Sequence, residues 1–282
     1  MIRSVIYIVL LYFCLVCTTG RPLDEIIEDS SPDATGFVHN DDDSGSFISV
    51  DGDMLLTVDQ YNILYGRQNI LNATNSNSTI RNKRKSLTDL STRWPNRRIP
   101  YRIEPNTFSS EEVKNIKSAI DEWETYTCLR FPPATSLDYN YINFKDGTGC
   151  HSQIGMWKTG KQDVFLEKYC RVKGTIAHEI GHVIGFVHEQ NRPDRDDYVV
   201  IKKENIISNY TDNFIKYSFS NVSTNDLPYD YNSIMHYGAH AFAKTGGLFT
   251  IVTKDKAFQN VIGQREKLSY YDIQHANLMY NC

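Results

Sequence analysis

His178-Glu179-Ile180-Gly181-His182-Val183-Ile184-Gly185-Phe186-Val187-His188 places three imidazoles and a carboxylate within eleven residues. On a helix, His178 and His182 are four apart and share one face, so both rings reach a single ion. Glu179 lies one step round from His178, beside such an ion, where a base for a metal-bound water belongs. Gly185 lets the chain leave the helix with positive φ and bring His188 round as a third ligand. Three histidines leave the fourth position open, which marks a catalytic rather than a structural zinc site. Ile176, Ile180, Val183 and Ile184 give this helix an apolar back that faces a core while the histidines face a cleft.

Working outward, His188 is followed by Glu189-Gln190-Asn191-Arg192-Pro193-Asp194-Arg195-Asp196, and later by Ser233-Ile234-Met235-His236-Tyr237. These residues resemble the astacin family of metzincin endopeptidases. Its signature H-E-x-x-H-x-x-G-F-x-H-E-x-x-R-x-D-R-D and its S-x-M-H-Y Met-turn are matched at every fixed position. The resemblance runs from about Trp94 to Cys282, through Trp94-Pro95, Ile99-Pro100-Tyr101, Tyr229-Asp230-Tyr231 and Ile262-Gly263-Gln264-Arg265.

The resemblance implies an α+β zincin/metzincin fold. A twisted mixed sheet and two long helices form its N-terminal subdomain. A mostly irregular C-terminal subdomain carries one helix, and the zinc cleft lies between the two. It implies one Zn2+ held by His178, His182 and His188, with Glu179 activating a zinc-bound water to hydrolyse peptide bonds. Tyr237 is expected to ligate zinc at rest and then hydrogen-bond the oxyanion, since a phenol can do both. Zinc takes nitrogen, oxygen and thiolate, so Met235 is read as the apolar floor under the histidines rather than a ligand. The glutamate matching Glu189 pairs with the mature N-terminal ammonium in the family. Lys254, Lys256 or Arg265 offers a cation for acidic substrate side chains.

Residues 1–20 read as a secretory signal. Arg3 gives a basic start, Val5 to Val16 is almost entirely apolar, and the run is too short to span a bilayer. The expected protein is therefore secreted and extracellular, with no membrane anchor. Cys14 and Cys17 leave with the signal. Cys128, Cys150, Cys170 and Cys282 remain, an even number that suggests two disulfides with three possible pairings. The resemblance selects Cys128–Cys282 and Cys150–Cys170. No unpaired cysteine is then left for a covalent dimer, and the oligomeric state stays open. N-glycosylation sequons stand at Asn72, Asn77, Asn209 and Asn221.

The net charge of −4 hides an asymmetry. Residues 21–84 hold 11 acidic against 5 basic side chains, whereas residues 85–282 are close to neutral. Neither part has the basic face of a nucleic-acid binder. The polar 21–84 stretch, poor in regular pattern, reads as a propeptide. It ends in Arg81-Asn82-Lys83-Arg84, a site for an activating secretory protease. Within it, Val50-Asp51-Gly52-Asp53 resembles the family's F-x-G-D motif, which implies that Asp53 fills the open zinc position and keeps a zymogen silent. Val50 departs from the usual phenylalanine. Residues 85–282 then form the astacin-like catalytic domain, enough chain for one core. The resemblance gives a minimal form of signal, propeptide and catalytic domain, acting on polypeptide substrate. A catalytically dead relative would lack a ligand, the base or the tyrosine, and none is missing. A structural zinc protein would use four protein ligands and more cysteines.

Overall fold

A capping box begins each of the helices α1, α2 and α4 described below, and buried apolar side chains hold the long helices against one mixed sheet. The computed structural model describes residues 38–41, 45–65, 84–87, 92–156, 160–220 and 222–282. The signal at 1–20, Arg81–Lys83 and the sequons at Asn72, Asn77 and Asn221 lie outside these residues.

Strands β1 (Val38–Asp41), β2 (Gly45–Val50) and β3 (Met54–Thr57) lead into a short helix α1 (Val58–Leu64). Thr57 and Gln60 cap α1 reciprocally. Strand β4 (Arg84–Leu87) and strand β5 (Tyr101–Ile103) follow. Helix α2 (Ser110–Tyr126) starts on Ser109, whose side chain accepts from Glu112 N while Glu112 caps Ser109 N at 2.7 Å. Strands β6 (Tyr141–Lys145), β7 (Cys150–Gln153) and β8 (Lys161–Leu166) precede helix α3 (Lys173–Val183). Beyond it lie three-residue strands β9 (Val199–Ile201), β10 (Val222–Thr224) and β11 (Ile251–Thr253) with several 3-10 turns. Helix α4 (Tyr270–Tyr280), capped by Ser269 and Asp272, completes the order.

The main sheet has seven strands in the order β1-β2-β3-β7-β8-β6-β5. Strands β5, β6 and β8 run parallel, β7 is antiparallel to β8, and β3 joins β7 in parallel. Ile142, Phe144, Val164 and Leu166 on the sheet pack with Ile116, Ala119, Ile120 and Trp123 of α2 and Ile176, Ala177 and Ile180 of α3. Two indoles tie the long helices down: Trp123 Nε1 donates to Ala177 O at 3.1 Å, and Trp94 Nε1 to Val183 O at 2.9 Å. This is the mixed α+β architecture implied by the resemblance, with two long helices before the centre and one after it.

The structure departs from the sequence reading in the N-terminal segment, which carries three strands and a helix where little regular pattern is expected. All four residues of β3 are buried, so Met54-Leu55-Leu56 reads as an apolar run without alternation. Met54 and Leu56 pack in a second core with Ile154, Val187, Tyr217 and Val222. Helix α3 departs too: every residue from Gly174 to Val183 is buried, histidines included, because this segment covers its cleft face. Among the described residues no helix is long and apolar enough to cross a membrane.

Candidate metal centre

Helix α3 presents His178 and His182 one turn apart, with ring centroids separated by 4.8 Å. Gly185, at φ +107°, closes the helix by donating to His182 O at 2.8 Å. A Cβ there would sit 2.6 Å from Met279 Cε, so the turn favours glycine on two counts. The reversal delivers His188 with its ring 5.4 Å from His178 and 4.9 Å from His182.

Backbone carbonyls fix two of the three tautomers. His178 Nδ1 lies 2.7 Å from Ile234 O, and His182 Nδ1 lies 2.9 Å from Phe186 O. A carbonyl only accepts, so each Nδ1 carries the proton and each Nε2 presents a lone pair. Asp53 faces those lone pairs, with Oδ2 3.1 Å from His178 Nε2 and Oδ1 3.6 Å from His182 Nε2. His188 Nε2 is 3.0 Å from Oδ1 and 3.2 Å from Oδ2. Nitrogen and carboxylate lone pairs repel unless a cation lies among them. The ligand atoms of Asp53, His178, His182 and His188 lie within 4.8 Å of one another. Asp53 Oδ1 and His182 Nε2 have no hydrogen-bond partner among the described residues. Imidazole nitrogen and carboxylate oxygen suit zinc, and four donors fit its tetrahedral shell.

Without a cation, the same groups share protons unequally. Burial, then the charge of Arg265, holds His178 down at about 3, and burial also lowers His182. Burial opposes a charge on His188, but the Asp53 and Asp51 carboxylates outweigh it and lift His188 to about 9. Burial likewise opposes ionisation of Asp53, yet the charge of His188 outweighs it and holds Asp53 well below the usual carboxylate range.

Glu179 is buried beside this cluster and accepts from Ser152 Oγ at 2.9 Å. Burial, then the Asp53 charge, pushes its carboxyl well above the ordinary range. Ser152 also donates its backbone N–H to Asp53 O at 3.0 Å, so one residue of β7 touches both acids. Met235 is fully buried, and a Cβ on Gly181 would lie 2.5 Å from its sulfur, which places Met235 directly against α3. The loop holding it is pinned by α4. Ser233 Oγ donates to Asp272 Oδ1 at 2.6 Å, and Ile234 N to Oδ2 at 2.8 Å. Tyr237 packs near His188 with centroids 4.4 Å apart, and its hydroxyl donates to Asp51 O.

Asp51 and Gly52 adopt φ of +51° and +80°, the turn that aims Asp53 inward. A Cβ on Gly52 would come within 2.8 Å of Phe242 Cζ. Val50 is partly buried against the second core, beside Met54, Leu56 and Tyr61. Glu189 is buried and accepts from Arg192 Nη1 at 3.1 Å and Asp230 N at 2.8 Å. Arg265 donates to His236 O at 3.2 Å, whereas Lys254 and Lys256 are exposed. Asn209 is exposed. Both disulfides, Cys128–Cys282 and Cys150–Cys170, are formed.

The sequence reading singles out His178, Glu179, His182, His188, Met235, Tyr237 and Asp53, and the structure gathers all seven. It does not single out Ser152, Asp272, Tyr217 or Asn191. Asn191 stands inside the quoted run after His188. Tyr217 is one of 18 tyrosines with no spacing to mark it.

Helix, turn and floor together define a metzincin-type zinc domain. The sequence pattern of the Astacin peptidase family matches residues 86–281. Blastula protease 10 of Paracentrotus lividus is 44% identical over 237 residues, 82% of this chain and 38% of its own. Zinc metalloproteinase nas-30 of Caenorhabditis elegans is 39% identical over 232 residues, 82% of this chain and 30% of its own. High choriolytic enzyme 1, a hatching enzyme zinc-protease from Oryzias latipes, superposes with a TM-score of 0.62 at 36% identity, covering 75% of this chain and all of that one. The chain belongs to the astacin family. It spans about two fifths or less of the length of the curated relatives named here.

Proposed function

We propose that this chain is a secreted zinc endopeptidase made as a zymogen. The observation that supports it is the Asp53 carboxylate set among His178, His182 and His188, with Glu179 alongside. His178, His182 and His188 would hold a zinc ion, which would supply Lewis acidity to the attacking water and to the scissile carbonyl. Glu179 takes a proton from the attacking water and returns it to the leaving amine, and Ser152 holds the carboxylate in position. The Tyr237 hydroxyl, engaged by Asp51 O here, is released with the propeptide and donates to the developing oxyanion. Met235 keeps the floor beneath the histidines apolar.

Residues 1–20 serve as signal and 21–84 as propeptide, with Asp53 displaced after a secretory protease cuts following Arg84. Residues 85–282 are the catalytic domain. Asn209 is an exposed glycosylation site, and Asn72, Asn77 and Asn221 are further candidates. The substrate is polypeptide.

The test is peptidase activity of the secreted chain before and after cleavage at Arg84, with a chelator and Glu179→Ala as controls. Activity that appears only after the cut and vanishes in both controls is expected. A cut, zinc-loaded chain that stays inert across a broad peptide library would overturn the proposal.

A further inference from the structure

Asp272 is fully buried in the first turn of α4, and each of its oxygens meets donors. Oδ2 accepts from Ile234 N at 2.8 Å and from Ser269 N at 3.0 Å, and Asp272 N donates back to Ser269 Oγ at 2.9 Å. Those bonds cap the helix and dock the Met235 loop on it. Oδ1 accepts from Ser233 Oγ at 2.6 Å, a bond that capping does not require.

From Ser233 the bonds run in one direction. Ser233 gives its only hydroxyl proton to Asp272, so its Oγ is the acceptor for Met235 N at 3.1 Å. Met235 N and Ile234 O belong to one peptide group, and Ile234 O accepts from His178 Nδ1 at 2.7 Å. Imidazole, peptide, hydroxyl and carboxylate therefore stand in series, each donating towards Asp272. Ser233, Ile234 and Met235 are fully buried and His178 is 2% exposed, so the series lies in a low dielectric. Bonds aligned in this way polarise one another, by about 10–30% each. The other two imidazoles are served differently. His182 Nδ1 lies 2.9 Å from Phe186 O, at the exit of its own helix. His188 Nδ1 lies 3.9 Å from Oδ2 of Asp51, which precedes Arg84.

We propose that Asp272 is a positioning residue for the metal centre, acting on His178 through Ser233 and the peptide between Ile234 and Met235. This rests on the reading of His178, His182 and His188 as the zinc ligands. The negative end of the series draws the His178 Nδ1 proton towards Ile234 O. That raises the electron density at Nε2, makes His178 a stronger ligand and fixes the plane of its ring. A carboxylate bonded directly to a ligand histidine gives this support in one step. Here a hydroxyl and a peptide carry it from α4 to α3, so the last helix is coupled to the centre by more than packing.

The test measures zinc affinity of the full chain by competition with a chromophoric chelator at one pH, and the Nδ1 proton resonances of the zinc-loaded protein with isotope-labelled histidine. In the unsubstituted chain the His178 proton is expected downfield of the His182 proton. Asp272→Asn keeps the shape, but its –NH2 must face either Ser233 or the backbone N–H groups of Ile234 and Ser269, so the series breaks. It should weaken zinc binding about tenfold and move the His178 proton upfield, leaving the His182 proton in place. Ser233→Ala breaks the same series, spares both Oδ2 bonds and should do the same. In the double variant the losses should not add, because either change interrupts one chain. Ser269→Ala weakens the cap without touching the series. It should lower the thermal midpoint and leave zinc affinity within about twofold. Additive losses in the double variant, an equal loss in Ser269→Ala, both histidine protons moving together, or an affinity unchanged in both Asp272→Asn and Ser233→Ala overturns the proposal. An unsubstituted chain that binds no zinc defeats the three-histidine reading, and the proposal with it. If Asp272→Asn fails to fold, Ser233→Ala and the order of the two resonances in the unsubstituted chain still decide.

Discussion

At the scale of single residues, Glu179 and the three histidines can be separated by what each substitution spares. Glu179→Gln keeps the size and the Ser152 contact but removes the base. Activity of the cut chain should fall by about two to four powers of ten, with zinc content by metal analysis still one per chain. Loss of zinc together with activity would show that Glu179 acts through the fold of the centre instead. A pH experiment on the chelated, uncut chain probes the histidines. His188 is raised to about 9, so its proton stabilises the fold fully below its unfolded value near 6.5 and is lost as pH rises through 9. His178, held at about 3, and His182 work in the opposite sense, costing stability as pH falls below 6.5 because only the unfolded chain takes their protons. The chelated chain should be most stable near pH 6.5, read as the thermal midpoint across pH. Zinc removes the decline between 6.5 and 9, because a liganded His188 carries no proton there. A chelated chain whose midpoint rises from 6.5 to 9 would contradict this assignment.

Among the elements, α3 decides the geometry, and its glycines decide how closely it can pack. A Cβ on Gly174 would lie 1.6 Å from Arg265 O and 2.2 Å from Arg265 C, both backbone atoms that cannot swing aside. Gly174→Ala should therefore part the start of α3 from the 265 segment and cost about 1–3 kcal/mol by denaturant melt. Gly246→Ala, where nothing lies within 4 Å, is the control and should stay within about 0.5 kcal/mol. Equal effects at both sites would mean that close packing of α3 is not what holds it. The same element shows how far the sequence could be read. The spacing His178-His182, the break at Gly185 and the capping pair Ser109–Glu112 are local signals, and the helices follow them. Ser152 and Asp272 were not legible. Each meets its partner through strand pairing or helix docking across 27 or 39 residues of sequence, and no local pattern records that. Strand β3 was hidden for a related reason: it pairs with its neighbour β2, but it lies inside the main sheet because it also joins β7, a partner almost a hundred residues on.

For the molecule as a whole, the two disulfides do different work. Cys128–Cys282 joins the end of α2 to the chain end across 154 residues, while Cys150–Cys170 closes only 20. Loop entropy alone assigns about 5 kcal/mol to the first and about 3 kcal/mol to the second. The short loop, however, contains β7, and Ser152 two residues from Cys150 touches both Glu179 and Asp53 O. The paired substitution Cys128→Ser/Cys282→Ser should therefore lower global stability more and, on the proposed zymogen reading, leave the uncut chain inactive. The pair Cys150→Ser/Cys170→Ser should cost less in a denaturant melt but loosen the strand that pairs with β3 beside Asp53, so that on the proposed zymogen reading the uncut chain leaks activity. Measuring both quantities on both pairs separates constraint on the unfolded chain from support of the site. If the short-loop pair costs as much stability as the long one and leaves latency intact, β7 is held by its ladder with β8 and not by the disulfide.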